Sequence, residues 1–220
     1  MREDGATTDY EALIVDFGGV LTTPLQEAFA GFAESIDIEM SDLVRIMLKA
    51  YAGEEDSLVT DFETGRLSEE DFSVEFARRI SEAAGRDIEA EGIVTRLFHG
   101  MDLEADMIEL VRSARTAGTK TALLSNSWGT STYPRDLLDE IFDVIVISGK
   151  VGLRKPDPAI FKMTADKLGI APERCIFVDD HPGHLKSAAE EGMRTVLHRT
   201  PAETIPEVEQ LLGRASVSGS

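Results

Sequence analysis

Four short polar clusters of this chain each follow an apolar run or a turn, and they hold the side chains best suited to chemistry. The clusters are Val15-Asp16-Phe17-Gly18-Gly19-Val20, Ser125-Asn126, Arg154-Lys155-Pro156-Asp157-Pro158 and Asp179-Asp180. In open parallel sheets, ligands bind beyond the carboxyl ends of the strands, where loops and helix N-termini converge. We therefore expect the four clusters to meet at one sheet edge, although each cluster alone is a weak signal.

We expect three carboxylates of these clusters, Asp16, Asp179 and Asp180, to arrive at one strand edge. Together at one edge they would repel one another and raise one another's pKa unless a cation neutralised them. Oxygen ligands favour Mg²⁺, which keeps several waters and bridges to a substrate phosphate. The sequence therefore predicts a Mg²⁺ site and a small phosphorylated substrate.

The other polar side chains suit transfer of a phosphoryl group. An ionised Asp16 is a competent nucleophile, and the aspartyl-phosphate it forms would be hydrolysed in a second step. Ser125 and the amides after it, which we expect to open a helix, suit phosphate oxygens, while Lys155 would offset charge in the transition state. The simpler interpretation, in which Ser125 only caps a helix and Lys155 is solvated, loses weight when all four clusters follow strands.

Five short apolar runs predict the strands that carry these clusters. They are residues 12–15, 121–124, 144–147, 176–178 and 195–197. The later strands alternate with helical patterns, which implies right-handed crossovers and a parallel sheet covered on both faces. Between residues 24 and 100 apolar residues recur only at helical spacing, which predicts about four short helices, one of them running from a cap at Ser68 to Gly85.

The predicted fold class is therefore α/β, with a parallel-sheet, Rossmann-like core. We expect residues 9–23 and 101–212 to form this catalytic core and residues 24–100 to form an inserted α-helical cap. Residues 213–220 are small and polar without periodicity, which predicts a disordered tail.

The motifs resemble those of the haloacid dehalogenase-like hydrolase superfamily, specifically its phosphatases with a helical cap after the first strand. The motifs Asp-x-Gly-Gly-Val and Lys-Pro-Asp-Pro are most similar to those of one branch of this superfamily. That branch contains sugar-phosphate phosphatases and the phosphatase domain of bifunctional soluble epoxide hydrolases. The resemblance implies that Asp16, the backbone carbonyl of Gly18 and one of Asp179 or Asp180 bind the metal. Asp16, Ser125 and Lys155 would be catalytic. We expect substrate contacts from Gly18, Gly19, Ser125, Asn126, Trp128 and Lys155.

Gly18 departs from the family pattern, since most of these phosphatases carry a second Asp two residues after the nucleophile. That Asp protonates the leaving oxygen and then activates water, and glycine does neither. Another group, a water or a leaving group that needs no proton must replace it. His181 is one candidate, although the simpler interpretation is that His181 and His184 only mark a helix start beside Pro182.

The predicted cap would cover the site as a lid and read the distal part of the substrate. Tyr51, Glu63 and Arg66 are accessible polar candidates for this role, although a solvated surface explains them equally well. Trp128 either walls the substrate pocket or belongs to the core.

Composition limits the other possible partners. With 220 residues, 42% of them hydrophobic, the chain has enough apolar material for a sizeable core, and a net charge of −19 repels nucleic acids and anionic membrane surfaces. No apolar run approaches a membrane span and no signal peptide is evident, so we expect a cytoplasmic protein. We expect the single cysteine, Cys175, to be a buried thiol. The sequence does not predict the oligomeric state.

Three functions compete for these observations. The leading one is a Mg²⁺-dependent phosphatase acting on a small phosphomonoester. The second is a non-catalytic phosphate-binding or regulatory protein that lost turnover with its second Asp. The third is a carbon–halogen hydrolase that uses Asp16, but such enzymes carry Ser and Asn where this chain has Asp179 and Asp180.

Overall fold

A parallel sheet forms the centre of the computed structural model, which describes residues 9–51, 57–129 and 133–213. Its strands are β1 (Ala12–Val15), β2 (Lys120–Ser125), β3 (Val144–Ile147), β4 (Cys175–Asp179) and β5 (Arg194–Leu197). Within these described residues the strand order is β3-β2-β1-β4-β5, and every neighbouring pair is parallel. Because β1 lies between β2 and β4, their carboxyl ends meet at one edge.

Helices surround this sheet, and in the described part of the chain six of them precede its second strand. They are α1 (Leu25–Ser35), α2 (Met40–Tyr51), α3 (Leu58–Glu63), α4 (Glu69–Ala84), α5 (Ile93–Leu97), α6 (Ala105–Thr116), α7 (Arg135–Ile141), α8 (Ser148–Val151), α9 (Pro158–Leu168), α10 (Pro182–Glu190) and α11 (Pro201–Leu211). A short 3-10 helix, Pro172–Arg174, leads into β4.

Both faces of the sheet are covered, which explains why its strands are continuous apolar runs. Leu13 and Val15 belong to one buried cluster with residues of α6, and Ile14 belongs to another with Phe161 of α9. All four residues of β1 are buried. The predicted α/β class with a parallel sheet is confirmed.

Helices α1 to α5 share a separate buried cluster, which includes Phe72, Phe76 and Ile80 of α4. The Oγ of Ser68 accepts a hydrogen bond from the Asp71 backbone N–H at 3.0 Å, and Gly85 ends α4 in the left-handed conformation. The capped helix predicted from Ser68 to Gly85 is therefore present. Five helices occupy residues 24–100 where the structure describes them, against the four or so expected.

The described residues bear on two further expectations, the disordered tail and the absence of a membrane span. The predicted tail, residues 213–220, lies outside the described part of the chain except for Gly213. None of the helices found in residues 9–51, 57–129 and 133–213 has the length and apolar character needed to cross a membrane.

Candidate active site

Asp16 is the first residue after β1 and is buried at the carboxyl edge of the sheet. Its backbone N–H donates to the carbonyl of Val178 on β4 at 3.0 Å, so the sheet ladder continues to the Asp16 backbone. The Phe17 N–H donates to Asp16 Oδ1 at 2.7 Å. The carboxylate is therefore held by strand pairing on one side and by its own turn on the other.

Lys155 lies between two of the carboxylates. Its Nζ is 2.8 Å from Asp16 Oδ1 and 2.6 Å from Asp179 Oδ2, and its side chain is 0% exposed. Burial works to lower the pKa of Lys155, but Asp16 and Asp179 raise it above its usual range. The interpretation of Lys155 as a solvated side chain is therefore wrong.

Asn126 holds the backbone of Lys155 in place. Its Nδ2 donates to the Lys155 carbonyl at 3.0 Å, and its Oδ1 accepts from the Lys155 N–H at 2.8 Å. Both ends of the amide are thus paired with main chain, which fixes the loop that carries the ammonium. We expected Asn126 to contact the substrate. The structure shows that its side chain also positions the backbone of Lys155.

Ser125 ends β2 and is buried beside a tyrosine. Its Oγ lies 2.9 Å from the hydroxyl of Tyr133, and either atom is able to donate. The expected helix directly after Ser125 is wrong, because residues 126–129 form a loop and α7 begins at Arg135. The Ser127 N–H, expected at a helix N-terminus, donates instead to Ser148 Oγ of α8 at 2.7 Å.

Asp179 is buried at the end of β4 and is surrounded by donors. Its carboxylate accepts from the His181 N–H at 2.8 Å, lies 3.1 Å from Nδ1 of His184 and pairs with Lys155. Burial works to raise the pKa of Asp179, but Lys155 and His184 hold it well below its usual range. Its oxygens are largely committed to these partners.

Asp180 points the other way, towards the loop after Asp16. A Cβ placed on Gly19 would lie 2.6 Å from Asp180 Oδ2, and Gly19 has a φ of +75°. Only glycine suits this backbone conformation and this close approach. Burial and the Asp179 carboxylate raise the pKa of Asp180 above its ordinary value.

The charges of this site call for a cation. Burial raises the pKa of Asp16 above its ordinary range against the opposing Lys155 ammonium, and Asp179 and Asp180 add to the rise. Among the described residues, ligand atoms of Asp16, Asp179 and His184 lie within 4.8 Å of one another. His184 already pairs with Asp179, so the donors that remain are carboxylate oxygens, a set that fits Mg²⁺.

His181 and Trp128 each combine a structural contact with a place at the cavity wall. The His181 Nδ1 accepts from the Gly183 N–H at 3.1 Å, which caps α10 as the simpler interpretation held. The Trp128 ring packs edge-on against Phe62 and Phe72 of the helical cluster, so both interpretations of Trp128 apply.

A cavity of about 640 Å³ is lined by Asp16 and other residues of the sheet edge, by helices α1, α2 and α3, and by Phe98 directly after α5. Its polar floor includes Asp16, Ser125, Asn126, Tyr133, Asp180 and His181. Its apolar wall includes Leu25, Phe29, Val44, Leu48, Phe98 and Trp128. Asp16 therefore lines a cavity whose wall is largely apolar.

The three cap candidates fall in different places. Glu63 is only 1% exposed and lines the cavity, and its Oε2 lies 2.8 Å from Nε of Arg154, so the expectation of an accessible Glu63 is wrong. Arg66 is exposed and pairs with Asp61 at 2.7 Å. The side chain of Tyr51 lies outside the described part of the chain.

Sequence reasoning assigned no functional role to Arg154, Tyr133 or His184, all of which line the cavity. Arg154 directly precedes Lys155, and His184 lies in the first turn of the helix after Asp179. Their closeness in sequence to Lys155 and Asp179 was therefore a signal that could have identified both residues. Tyr133 has no local signal, because only the folded loop brings its hydroxyl to Ser125.

A family model for "haloacid dehalogenase-like hydrolase" matches residues 10–192. Among curated proteins, the chain is 30% identical over 210 residues to acyl-CoA dehydrogenase family member 10 of Mus musculus, covering 93% of this chain and 19% of that protein. It is 31% identical over 130 residues to a phosphoserine phosphatase of Thermus thermophilus, covering 55% of this chain and 51% of that protein. The chain thus spans from about a fifth to about half of these relatives.

Solved structures show the same fold. A HAD-like family hydrolase from Porphyromonas gingivalis matches with a TM-score of 0.71 at 26% identity, covering 93% of this chain and 98% of that one. A HAD family enzyme from Bacteroides thetaiotaomicron, in complex with magnesium and inorganic phosphate, matches with a TM-score of 0.60 at 23% identity, covering 86% and 94%. The second likeness is one of fold alone.

Proposed function

This chain belongs to the haloacid dehalogenase-like hydrolase family, and we propose that it is a Mg²⁺-dependent phosphatase that hydrolyses a small phosphomonoester through an aspartyl-phosphate on Asp16. The observation that carries the proposal is the Lys155 ammonium, buried between Asp16 and Asp179 at 2.8 and 2.6 Å. Such a site places a carboxylate beside a fixed positive charge where a phosphate dianion would react.

In the first step, a carboxylate oxygen of Asp16 attacks phosphorus, and the bond from phosphorus to the ester oxygen breaks. The ester oxygen leaves with that electron pair and takes a proton from water, because position 18 carries no carboxylic acid. In the second step, water attacks the phosphorus of the aspartyl-phosphate, and the bond from phosphorus to the Asp16 oxygen breaks. The attacking water gives up a proton to solvent, inorganic phosphate leaves and the Asp16 carboxylate is restored. Lys155 stabilises negative charge on the transferring group in both steps.

The residues around Lys155 and Asp16 have supporting roles in this proposal. Ser125 contacts a phosphate oxygen through its hydroxyl, which Tyr133 orients from 2.9 Å. Asn126 positions Lys155 through the two backbone hydrogen bonds described above. Asp179 holds the ammonium and the start of α10 together.

Asp16, the backbone carbonyl of Gly18 and Asp180 would hold the metal. We favour Asp180 over Asp179 because the Asp179 oxygens already serve Lys155, His181 and His184. Bound Mg²⁺ would neutralise the excess negative charge and polarise the substrate phosphate. In this role it would also keep Asp16 ionised, against the effect of burial on its pKa.

Helices α1 to α5, within residues 24–100, would act as the cap over this site. The cavity lies between them and the sheet edge, and their own buried cluster gives them a separate core. Glu63 would contribute to the cavity wall through its pair with Arg154. Arg66, which pairs with Asp61 at the surface and is not part of the wall described above, is a weaker candidate for substrate recognition.

The test is release of inorganic phosphate with and without Mg²⁺, using Asp16→Asn as the variant. We expect Asp16→Asn to lower kcat by several orders of magnitude, because the nucleophile is gone, while the thermal melt shows a folded protein. Asp166→Asn, which removes an exposed carboxylate of α9, is the matched control and should leave the rate unchanged.

Other outcomes identify the competing functions. Tight phosphate binding without turnover would favour a regulatory phosphate-binding protein. Chloride release from a haloacid in the presence of a chelator would favour a dehalogenase. Retention of most phosphatase activity in Asp16→Asn would refute the nucleophile assignment.

A further inference from the structure

The upper part of the cavity is walled by apolar side chains that nothing in the proposed chemistry uses. Val44 and Leu48 of α2 are 41% and 64% exposed, although large apolar residues of a folded chain are usually covered. They are four residues apart, so they share one face of α2, and both line the cavity. Exposed apolar surface of this kind, continuous with a reactive carboxylate, is typical of a ligand-binding wall.

Aromatic rings continue this wall towards the sheet. The centroids of Phe29 and Phe98 are 6.0 Å apart, and those of Phe98 and Trp128 are 5.5 Å apart. All three residues line the same cavity, and they come from α1, from the end of α5 and from the loop after β2. The rings therefore form one surface above the polar floor.

This wall is poorly suited to a sugar. Each hydroxyl of a bound sugar needs a hydrogen-bond partner, since an unpaired buried hydroxyl costs about 1–3 kcal/mol. Among the described residues that line the cavity away from its floor, Gln26 is a polar side chain, and Glu63 is paired with Arg154. The apolar wall would instead stabilise a hydrocarbon or an aromatic ring.

Resting on the proposed phosphatase function, we propose that the substrate is an amphiphilic phosphomonoester, whose phosphate meets Asp16 and whose bulky apolar or aromatic alcohol portion covers Val44, Leu48, Phe29, Phe98 and Trp128. Gly18 independently favours the aromatic members of this class. A site without a carboxylic acid two residues after the nucleophile favours leaving groups that need no proton, and phenols are better leaving groups than sugar hydroxyls.

The first test is a series of para-n-alkylphenyl phosphates from methyl to hexyl, used below their critical micelle concentrations with Mg²⁺. Leaving-group acidity is almost constant along this series, so it isolates the contribution of the apolar wall. We expect kcat/KM to rise about two- to fourfold per methylene until the cavity is filled. A flat or falling series would overturn the proposal.

The second test uses matched variants of exposed apolar residues. Leu48→Ser should reduce the ratio of kcat/KM for the hexyl and methyl substrates at least about fivefold. Val74→Ser is the control, because Val74 of α4 is 58% exposed but does not belong to the cavity wall, and this variant should keep the wild-type ratio. Equal changes in both variants would contradict a binding role for Leu48, and Val44→Ser provides a second variant of the wall.

Binding of alkylphosphonates separates failure of this proposal from failure of the phosphatase function. Their P–C bond is not cleaved by this chemistry, so calorimetry with butyl- and octylphosphonate measures the apolar wall without turnover. Tighter binding of octylphosphonate, lost in Leu48→Ser, supports the apolar site even if no ester is hydrolysed. Equal affinities, with esters still hydrolysed, would reject the substrate class and leave the phosphatase intact.

Discussion

Gly18 stands two residues after the proposed nucleophile, and its surroundings tell whether glycine is there for backbone reasons. The left-handed φ in this loop belongs to Gly19, not to Gly18. A Cβ on Gly18 would lie 3.3 Å from Cδ2 of Leu25, the flexible end of a side chain. The backbone therefore admits a side chain at position 18, and the chemical consequence of Gly18 is the missing acid.

We predict that wild-type rates depend steeply on leaving-group acidity, because the leaving oxygen has no carboxylic acid at position 18. Gly18→Asp should raise the hydrolysis of simple alkyl phosphates by about 100-fold and flatten this dependence. Gly18→Asn, of the same size but without the acid, is the control and should do neither. The measurement is kcat across aryl and alkyl phosphates, with thermal melts for folding.

Similar wild-type rates on alkyl and aryl phosphates would contradict this prediction and reveal another acid. His181, which lines the cavity, would then be the residue to replace. A loss confined to alkyl substrates in His181→Ala would identify it as the donor.

At the scale of elements, the turn after α3 meets α8 through a contact that requires glycine. A Cβ on Gly65 would lie 2.3 Å from the carbonyl oxygen of Gly149, and Gly65 has a φ of +73°. Beside it, Ser148 Oγ donates to the Glu63 carbonyl and accepts from the Ser127 N–H. The end of α3 is thereby connected to the loop that follows Ser125.

We predict that Gly65→Ala destabilises the protein by more than about 2 kcal/mol, because left-handed strain and a steric clash add together. It should also lower kcat/KM, since the clash displaces α8 from the loop after β2. Gly85→Ala has a similar φ of +65° but meets nothing within 4 Å, so it should cost only about 1 kcal/mol and leave kcat/KM unchanged. Equal shifts of Tm in the two variants would refute the close contact.

At the scale of the whole molecule, Cys175 reports on the integrity of the sheet. It lies on β4, between β1 and β5, and is 0% exposed. Burial raises the pKa of its thiol to about 12, and Glu173 and Glu11 contribute. Its reaction with a thiol reagent therefore requires the sheet to open and the thiolate to form.

We predict that iodoacetamide does not label Cys175 in the native protein at pH 8 and labels it readily after denaturation. In mild urea, Mg²⁺ at 100 times its Kd should slow labelling about 100-fold, because it binds only the folded state. Asp180→Asn should lose this protection, and Asp166→Asn should keep it. Native labelling at the denatured rate would contradict the burial, and unchanged protection in Asp180→Asn would remove Asp180 from the metal site.

The sequence by itself determined the features that depend on local pattern. Apolar runs located all five strands of the described sheet, and their alternation with helices predicted a parallel arrangement. Ser68 and Gly85 marked the ends of α4, because capping chemistry acts within a few residues. Asp16 and Asp179 were placed at one edge for the same reason, since each directly follows or ends a parallel strand.

Only the tertiary structure decided which side chains meet. The burial of Lys155, the pairing of Asn126 with its backbone and the pair of Glu63 with Arg154 join residues far apart in the chain. The apolar wall likewise combines α1, α2, α5 and the loop after β2 in one cavity. Such contacts carry no periodic or short-range signal, because they depend on how helices pack above the sheet edge and not on the residues beside them in sequence.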